Sequence, residues 1–297
     1  MSTSQTLAIL GGRTGLLGMA LTEAAKKSGY NVLPLGRADF DPSDRTAFKN
    51  FLQTAKPDAV FNTVAYTAVD VAEDEVETAN MLNRDMPAML AEECAQAQCS
   101  LYHYSTDFVF TGAGRSTPFT PEDTPEPSSV YGQSKLDGEK AILDVANLHG
   151  AIIRTSWLFG PIKTNFVQKI LGFAKDRDQL TVVGDQFGSP TYTPDLASYS
   201  LEYFRATQKG HAEEANPTMQ LIHIANSGKA SWCELAAEAV KLAKVECTVS
   251  PITTDEWPAK ATRPSYSVLD TRAFTEATNI APRSWKSALK DYIHLLD

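Results

Sequence analysis

Tyr131 and Lys135 are four positions apart in the segment Tyr131-Gly-Gln-Ser-Lys135. Residues with this spacing lie on the same face of a helix, so the phenol and the ammonium would face the same side. A nearby cation favours the phenolate and would lower the phenol pKa from about 10, which would make Tyr131 a proton donor or acceptor near neutral pH. Because chance often supplies such a pair, an exposed helix face with a packed ring and a solvated lysine is the alternative.

Two hydroxyls and a carboxylate follow a run of residues, 100–104, that is typical of a strand. They are Ser105, Thr106 and Asp107. In an open α/β sheet, ligands bind at the carboxyl ends of the strands. The hydroxyl of Ser105 or Thr106 would therefore hold a carbonyl oxygen beside the Tyr131 phenol.

A glycine-rich turn stands between a predicted strand, residues 7–10, and a predicted helix that ends near Gly29. This order of elements favours a dinucleotide-binding turn over a merely structural one. Gly12 would permit the tight turn, Gly15 would let the backbone approach a pyrophosphate, and Gly18 would let the helix pack closely on the strand. The candidate cofactor contacts in this turn are Gly12, Arg13, Thr14, Gly15, Leu16, Leu17 and Gly18.

The second predicted strand, residues 31–35, ends at Gly36 and Arg37. An acid at this place would bind the ribose 2′-hydroxyl of NAD, whereas no carboxylate here would repel a 2′-phosphate. Arg37 and Arg13 would both reach such a phosphate, unless they are ordinary surface arginines. The sequence therefore predicts a preference for NADPH, with NADH as a possible second cofactor.

Composition and charge exclude several classes of protein. Of the 297 residues, 43% are hydrophobic and 21% are charged, which is typical of a soluble globular protein. The net charge of −9 argues against a nucleic-acid or anionic-membrane partner. There is no run of about 18 apolar residues and no basic amino-terminal start. The four cysteines lack paired Cys-x-x-Cys spacing, so we expect a cytoplasmic protein with reduced thiols and no zinc.

Strand and helix patterns alternate from residue 7 to residue 155, including a long helix over about 78–97. This alternation predicts an α/β protein with a doubly wound parallel sheet, the Rossmann arrangement. We expect an NADP-binding domain over residues 1–160, to which part of 180–225 returns. Residues 161–297 would form mainly a smaller carboxy-terminal α/β lobe that binds substrate. The first strand, the fourth strand and the Tyr131 helix would meet at one crevice, which favours the catalytic interpretation of Tyr131.

Several segments together resemble a known family. They are residues 12–18, 62–70, 103–110, 130–135, 138–140, 154–157, 185–191 and 263–264. The Gly-x-x-Gly-x-x-Gly spacing is similar to that of the extended short-chain dehydrogenase/reductase superfamily. From residue 7 to the end, the chain resembles the family of dTDP-4-dehydrorhamnose reductases. The set is specific, although only the runs 104–110 and 185–191 carry much weight individually.

The resemblance implies reduction of the C4 ketone of dTDP-6-deoxy-L-lyxo-4-hexulose to dTDP-L-rhamnose, with hydride from the reduced nicotinamide. It implies that Tyr131 protonates the developing C4 alkoxide and that Thr106 hydrogen-bonds the substrate oxygen. Lys135 would lower the Tyr131 pKa and bond the nicotinamide ribose, and Tyr131 would also contact the cofactor. The remaining cofactor contacts would be Asp39 and Phe40 at the adenine, with Val64, Ala65 and Tyr66 along the cofactor.

The same resemblance places a further group of residues around the sugar nucleotide. They are Val69, Asp107, Trp157 and Gln186 at the sugar and Arg263 at the diphosphate. For each of the first four a packing role is the alternative, and for Arg263 it is an ordinary surface ion pair. Phe108 stands where nucleotide-sugar 4,6-dehydratases have Glu, which disfavours dehydration.

Some relatives in this family form a magnesium-linked dimer through acidic residues. Ala20 and Pro194 stand at the corresponding positions here. The resemblance therefore implies no such metal, and both a monomer and a homodimer stay open.

Two other functions are compatible with these residues. One is reduction or epimerisation of another nucleotide-linked 4-ketosugar. The other is a non-catalytic NADP-binding regulatory subunit, like that of methionine adenosyltransferase, which shares the fold. The intact set of Thr106, Tyr131 and Lys135 favours catalysis.

Overall fold

The computed structural model describes residues 4–39, 41, 43–211 and 219–296, so Phe40, an expected adenine contact, lies outside the described residues. The strands are β1 (Thr6–Leu10), β2 (Asn31–Leu35), β3 (Ala59–Asn62), β4 (Ser100–Thr106), β5 (Gly150–Thr155), β6 (Leu158–Phe159), β7 (Gln179–Val183), β8 (Phe187–Gly188), β9 (Thr191–Tyr192), β10 (Met219–His223), β11 (Ala230–Ser231) and β12 (Thr248–Ile252). The α-helices are α1 (Leu16–Lys27), α2 (Arg45–Ala55), α3 (Val69–Ala72), α4 (Val76–Asn80), α5 (Met86–Gln96), α6 (Val130–Leu143), α7 (Phe166–Lys175), α8 (Thr193–His211), α9 (Trp232–Leu242), α10 (Arg272–Thr278) and α11 (Trp285–His294).

Six strands form one parallel sheet in the order β10-β5-β4-β3-β1-β2. The chain runs from β1 to β2 at one edge and then crosses to β3 on the other side of β1. The strand order therefore reverses between β1 and β3, and ligands bind outside the carboxyl ends of strands at such a reversal. The predicted doubly wound α/β fold is confirmed.

The two faces of the sheet are covered by different helices, because successive side chains of a strand point to opposite faces. Ile9 packs with Leu21 of α1 and Phe204 of α8 in one buried cluster. Leu10 packs with Leu90 of α5 in the cluster on the other face. Each large apolar side chain buried in this way contributes about 1.5–3 kcal/mol. The sheet edge is thus held rigidly between two helical layers.

A second, smaller core lies in the carboxy-terminal half. Strands β7 and β12 pair in parallel, and helices α7, α9 and α11 pack around them. Polar side chains begin these helices: Asn165 caps α7, Ser231 forms a capping box with Glu234 at α9, and Ser284 caps α11. Helices α8 and α10 pack instead in the core beside α1, and β10 pairs with β5.

The helix predicted over about 78–97 is interrupted. Helix α4 runs into a π-helical turn, Met81–Asp85, before α5 begins. Asn83 in this turn bonds the backbone N–H and C=O of Tyr66 and donates to Ser134 Oγ at 3.0 Å. A Cβ at Gly138 would lie 2.0 Å from the Asn83 carbonyl oxygen, so α6 packs directly on the turn. The interruption therefore helps to position the helix that carries Tyr131.

None of the helices within the described ranges has both the length and the apolar character needed to cross a membrane.

Candidate active site

A cleft of about 1350 Å³ runs along the carboxyl edge of the sheet, with the smaller core forming its other wall. One end lies at the glycine turn after β1, and the other lies at the ends of β4 and β5. The predicted site residues that line it are Thr14, Gly15, Leu16, Leu17, Arg37, Val64, Ala65, Val69, Thr106, Asp107, Tyr131, Lys135, Trp157 and Arg263. Residues far apart in the sequence therefore meet in one space.

Other predicted site residues do not line this cleft. They are Gly12, Arg13, Gly18, Asp39, Tyr66 and Gln186. The Tyr66 hydroxyl donates to Glu75 at 2.9 Å. Gln186 is buried, and its Nε2 donates to Thr254 Oγ1 at 3.0 Å. Both side chains thus bond within the protein and do not face the cleft.

The glycine turn brings backbone donors to one end of the cleft. The left-handed conformation is at Gly11 (φ +82°), one residue before the expected Gly12. A Cβ at Gly18 would lie 2.3 Å from the Gly11 carbonyl oxygen, so α1 packs directly on the turn, as glycine there permits. No side chain caps the first N–H groups of α1, and its first turn contains no acid. These N–H groups and the helix dipole fit a phosphate.

At the end of β2, only one of the two predicted arginines lines the cleft. Arg37 does so, whereas Arg13 pairs with Asp39 at 2.8 Å. The Asp39 carboxylate also accepts from the Gly36 N–H at 2.7 Å. Asp41, which the sequence interpretation did not single out, also lines this end, and hydrogen bonds from Ser43, aided by the charge of Arg37, lower its pKa. Of these two arginines, Arg37 is therefore the one placed to bind an anionic ligand in the cleft.

At the other end of the cleft, Tyr131 lies next to Thr106. Ser129 caps α6 so that Tyr131 falls in its first turn, and β4 ends at Thr106. Burial raises the pKa of Tyr131 to about 12, the hydrogen bond with Thr106 lowers it, and the charge of Asp107 raises it. The phenol is therefore protonated at neutral pH and is suited to donate a proton.

The Lys135 amine is bonded to residues of β4. Its Nζ donates to the Tyr104 carbonyl at 2.7 Å and lies 3.0 Å from His103 Nε2. Burial lowers the pKa of Lys135 to about 8, with an opposing effect of Glu139. In this structure the amine is turned towards β4 and burial is the largest cause of the Tyr131 pKa, so the effect of the Lys135 charge on that pKa stays a prediction.

Asp107 is bonded both by its neighbour Thr106 and by Ser267 of the carboxy-terminal half. Ser267 Oγ donates to its Oδ2 at 2.5 Å, and Thr106 Oγ1 donates to its Oδ1 at 3.2 Å. Burial raises the pKa of Asp107 to about 7, while hydrogen bonds from Ser267, Thr106 and Trp157 lower it. This carboxyl therefore titrates near neutrality and orients the Thr106 hydroxyl.

Two tryptophans form an apolar wall of the cleft. The rings of Trp157 and Trp232 stack in parallel with centroids 3.5 Å apart. Trp157 has φ +49°, an unusual value for a bulky residue. A Cβ at Gly188 would lie 2.5 Å from its indole ring, so glycine allows the close approach. Trp232 therefore covers one face of the Trp157 ring, and the contact of Trp157 with a sugar stays a prediction.

Arg263 lines the cleft, but it is bound within the protein. Its NH2 nitrogen lies 2.7 Å from Asp70 Oδ2, and its NH1 nitrogen lies 3.1 Å from Asp70 Oδ1. Asp70 also accepts from the Ala261 N–H at 3.0 Å, and Lys260 pairs with Asp74 nearby. The segment around Arg263 is thus tied to α3 across the mouth of the cleft.

The sequence interpretation did not single out several residues that line the cleft. Ser156, Thr155 and Trp232 are among them, and the hydroxyls of Ser105 and Thr155 are buried without a hydrogen-bond partner. The rule that ligands bind at the carboxyl ends of strands would have found the residues after β5. No such signal exists for Trp232, which comes from the other core. Within the ranges that the structure describes, no three metal-ligating side chains form a group.

The parallel sheet, the glycine turn and the helix with Tyr131 and Lys135 define a protein of the extended short-chain dehydrogenase/reductase class. Residues 6–297 match the family described as the RmlD substrate binding domain. The chain is 36% identical to a dTDP-4-dehydrorhamnose reductase of Streptomyces griseus, over 94% of this chain and 90% of that protein. It therefore belongs to the family of dTDP-4-dehydrorhamnose reductases, and the resemblance drawn from its motifs is confirmed.

Two further proteins are similar over nearly the whole chain. A spore coat polysaccharide biosynthesis protein of Bacillus subtilis is 35% identical over 97% of both chains. The crystal structure of a dTDP-4-dehydrorhamnose reductase of Bacillus anthracis in complex with NADP has a TM-score of 0.88 and 29% identity, covering 98% of this chain and 99% of that one.

Proposed function

We propose that this protein reduces the C4 ketone of dTDP-6-deoxy-L-lyxo-4-hexulose to dTDP-L-rhamnose, using NADPH. The observation that carries the proposal is a protonated phenol, Tyr131, beside the Thr106 hydroxyl at one end of a cleft. The other end of the same cleft is the helix N-terminus after the glycine turn. A proton donor and a dinucleotide-type cradle in one space are what a carbonyl reductase needs.

The residues of the chain fit the cofactor at two places. The uncapped N–H groups of α1 fit a pyrophosphate, and Arg37 fits the 2′-phosphate that distinguishes NADPH from NADH. The Bacillus anthracis relative, which shares the fold over nearly its full length, is described in complex with NADP. When bound, NADPH supplies the hydride from C4 of its nicotinamide.

The ketone oxygen would lie between Thr106 and Tyr131. Thr106 would hold it by turning its single O–H from Asp107 to that oxygen, and Tyr131 would give its proton as negative charge develops there. The high pKa of Tyr131 keeps this proton available at neutral pH, and the alkoxide is a strong enough base to take it. Phe108 leaves this site without the glutamate that a dehydration would use.

The rest of the substrate would follow the second wall of the cleft. Val69 and the ring of Trp157, away from the face that Trp232 covers, would contact the sugar ring, and Arg263 would meet the diphosphate. The choice of a dTDP-sugar rests on the names of the relatives, among them the reductase of Streptomyces griseus. The spore coat relative supports a role in making a cell-surface polysaccharide.

The test is NADPH oxidation by the purified protein with dTDP-4-keto-6-deoxyglucose and its 3,5-epimerase, followed by absorbance and product analysis. We expect dTDP-L-rhamnose as the product. Tyr131→Phe should lower kcat by about 10²–10⁴-fold, because it removes the proton donor. Its Kd for NADPH, measured by fluorescence titration, should stay within about tenfold, because one lost hydrogen bond costs only about 0.5–1.5 kcal/mol.

Three outcomes would contradict the proposal in different ways. A Tyr131→Phe protein that binds NADPH and keeps wild-type turnover would remove Tyr131 from the chemistry. Oxidation of NADPH only with a different 4-ketosugar would change the substrate and keep the reaction. Binding of NADPH without any oxidation would leave a regulatory NADP-binding protein as the better interpretation.

A further inference from the structure

An extended segment of the carboxy-terminal half, residues 265–269, is fixed to the chain around β8. Tyr266 forms a single parallel bridge with Phe187, and the Ser267 N–H donates to the Phe187 carbonyl at 2.7 Å. The Leu269 N–H donates to Ser189 Oγ at 3.1 Å. These backbone bonds hold the middle of the segment, and Ser267 there is only 1% exposed.

The side chain of Ser267 reaches the floor of the active-site cleft. Its Oγ donates to Asp107 Oδ2 at 2.5 Å, while Thr106 Oγ1 donates to the other carboxylate oxygen, Oδ1, at 3.2 Å. Each oxygen of this buried carboxylate thus has a hydroxyl donor, one from the end of β4 and one from the carboxy-terminal half. The contact with Ser267 is the shorter of the two.

The Thr106 hydroxyl has a single hydrogen to donate. The Phe108 N–H already donates to Thr106 Oγ1 at 3.2 Å, and the hydroxyl hydrogen points to Asp107. To donate to a substrate oxygen, Thr106 must release the carboxylate, and a buried carboxylate that loses its donors is destabilised. Ser267 keeps its bond to Oδ2 when Thr106 turns away, which makes the release of Thr106 less costly.

The groups that face Asp107 come from several elements. Tyr131 of α6 is the titratable one, and its phenol stays protonated well above neutral pH. The other partners, Thr106, Ser267 and the Trp157 indole, carry no charge near neutrality. Within the described part of the chain, no cation is among the groups that shift the Asp107 pKa. A change in the titration of this carboxyl therefore reports on its burial and on these donors.

We propose that Ser267 is a positioning residue that holds the Asp107 carboxyl in place and thereby frees the Thr106 hydroxyl for the substrate oxygen. The catalytic consequence rests on the proposed function. Ser267 itself acts through Asp107 and Thr106. The carboxy-terminal half would then contribute to the reaction centre as well as to the walls of the cleft.

The contact with Asp107 is tested by ¹³C NMR of aspartate-labelled protein without substrate, with the Asp107 carboxyl assigned by its loss in Asp107→Asn. The hydrogen bond from Ser267 favours the carboxylate, so Ser267→Ala should raise the titration midpoint from about 7 by about one pH unit or more. Ser267→Thr keeps the hydroxyl and should restore the midpoint.

Ser265→Ala is the matched control. It removes a hydroxyl from the same segment, but that hydroxyl is exposed and faces the Thr111 carbonyl at 3.5 Å, so the Asp107 midpoint should not change. If Ser267→Ala does not fold, Ser267→Cys serves, because a thiol is of similar size and is only a weak donor. An unchanged midpoint in the folded variant, or an equal shift in Ser265→Ala, would overturn the proposal.

The effect on Thr106 is tested by kinetics at a pH above the Asp107 midpoint, where the carboxylate competes for the Thr106 hydroxyl. Ser267→Ala should lower kcat about three- to tenfold and leave the Kd for NADPH unchanged, and Ser267→Thr should restore kcat. A serine with a merely structural role would lower stability without this selective loss of kcat. A wild-type kcat in Ser267→Ala would contradict the role in freeing Thr106.

The titration does not depend on turnover. A raised midpoint in Ser267→Ala, in a protein that does not oxidise NADPH with any 4-ketosugar, would disprove the proposed function and leave the positioning of Asp107 by Ser267 standing.

Discussion

The floor of the cleft and its rim hold ionisable groups in opposite ways. On the floor, formed by Thr106, Asp107, Tyr131 and Lys135, every side chain is buried and bonded within the protein. Desolvation there raises the pKa of Asp107 and Tyr131 and lowers that of Lys135.

The rim carries exposed or half-exposed ion pairs, Arg13 with Asp39 and Arg263 with Asp70. Exposed pairs of this kind contribute only about 0–1 kcal/mol to stability. An anionic ligand can therefore replace a carboxylate partner at the rim at little cost, whereas burial shifts the pKa values of the floor before any ligand binds. The buried side chains of the floor are thus held in place before ligand binding, and the ion pairs of the rim are available to bind an anionic ligand.

The largest effect should come from breaking the buried pair behind the floor. Arg154 and Glu139 are each about 2% exposed, and Glu139→Gln would leave the guanidinium charge uncompensated. We expect the free energy of unfolding, measured with urea, to fall by about 3–5 kcal/mol. Glu202→Gln, which breaks a half-exposed pair with Arg205, is the control and should cost about 0–1 kcal/mol. Equal losses in both variants would remove the distinction between buried and exposed pairs.

Asp107 should make stability depend on pH. Its pKa is about 7 in the folded protein against 3.8 for the free group, so the folded state binds the extra proton between these values. This contribution to stability is complete below pH 3.8 and is lost as the pH rises through about 7. Its size should be of the order of a few kcal/mol. The difference in unfolding free energy between the wild type and Asp107→Asn, measured against pH, isolates it. A difference that does not change with pH would show that Asp107 is not desolvated.

Arg37 should decide the preference between the two cofactors. Arg37→Ala removes the cation that lines the cleft, and a lost charged hydrogen bond of about 1.5–3 kcal/mol would raise KM for NADPH at least tenfold. KM for NADH should change little. Arg13→Ala, which removes the arginine paired with Asp39, is the matched control and should have the smaller effect. A wild-type kcat/KM as high with NADH as with NADPH would contradict the preference itself.

The smallest effect on stability is expected at the mouth of the cleft. Arg263→Ala should change the unfolding free energy by at most about 1 kcal/mol, because its pair with Asp70 is partly exposed. The same variant should raise KM for the sugar nucleotide with kcat nearly unchanged, since the arginine would bind the diphosphate in the ground and transition states alike. Lys260→Ala breaks a neighbouring pair and should leave KM unchanged. A reduced kcat in Arg263→Ala would assign it a role beyond binding.

Local patterns predicted the sheet and most of its edge. The apolar runs of β1 to β5 and the polar caps of α7, α9 and α11 depend on neighbouring residues alone, so they could be recognised in the sequence. The interruption at Met81–Asp85 could not, because it depends on Asn83 bonding Tyr66 and Ser134 from other elements.

The sequence also predicted part of the candidate site, but not all of it. Tyr131 and Thr106 were found because the carboxyl ends of parallel strands share one edge. Gln186, by contrast, is turned to Thr254, and Asp39 is bound by Arg13. Trp232, which completes the aromatic wall, comes from a separate core. Which partner a polar side chain takes depends on distances between elements, and sequence spacing does not specify these.

Tyr131 and Lys135 show which features the sequence determines and which features the tertiary structure decides. Their spacing, the helix that bears them and the glycine turn that faces them are properties of the sequence, because helical periodicity and backbone sterics act locally. The protonation states of the two groups were decided by the tertiary structure. Burial raises the pKa of the phenol, and the lysine amine contacts His103 and the Tyr104 carbonyl of β4. A pKa depends on desolvation and on facing partners, which arise only when the elements pack together.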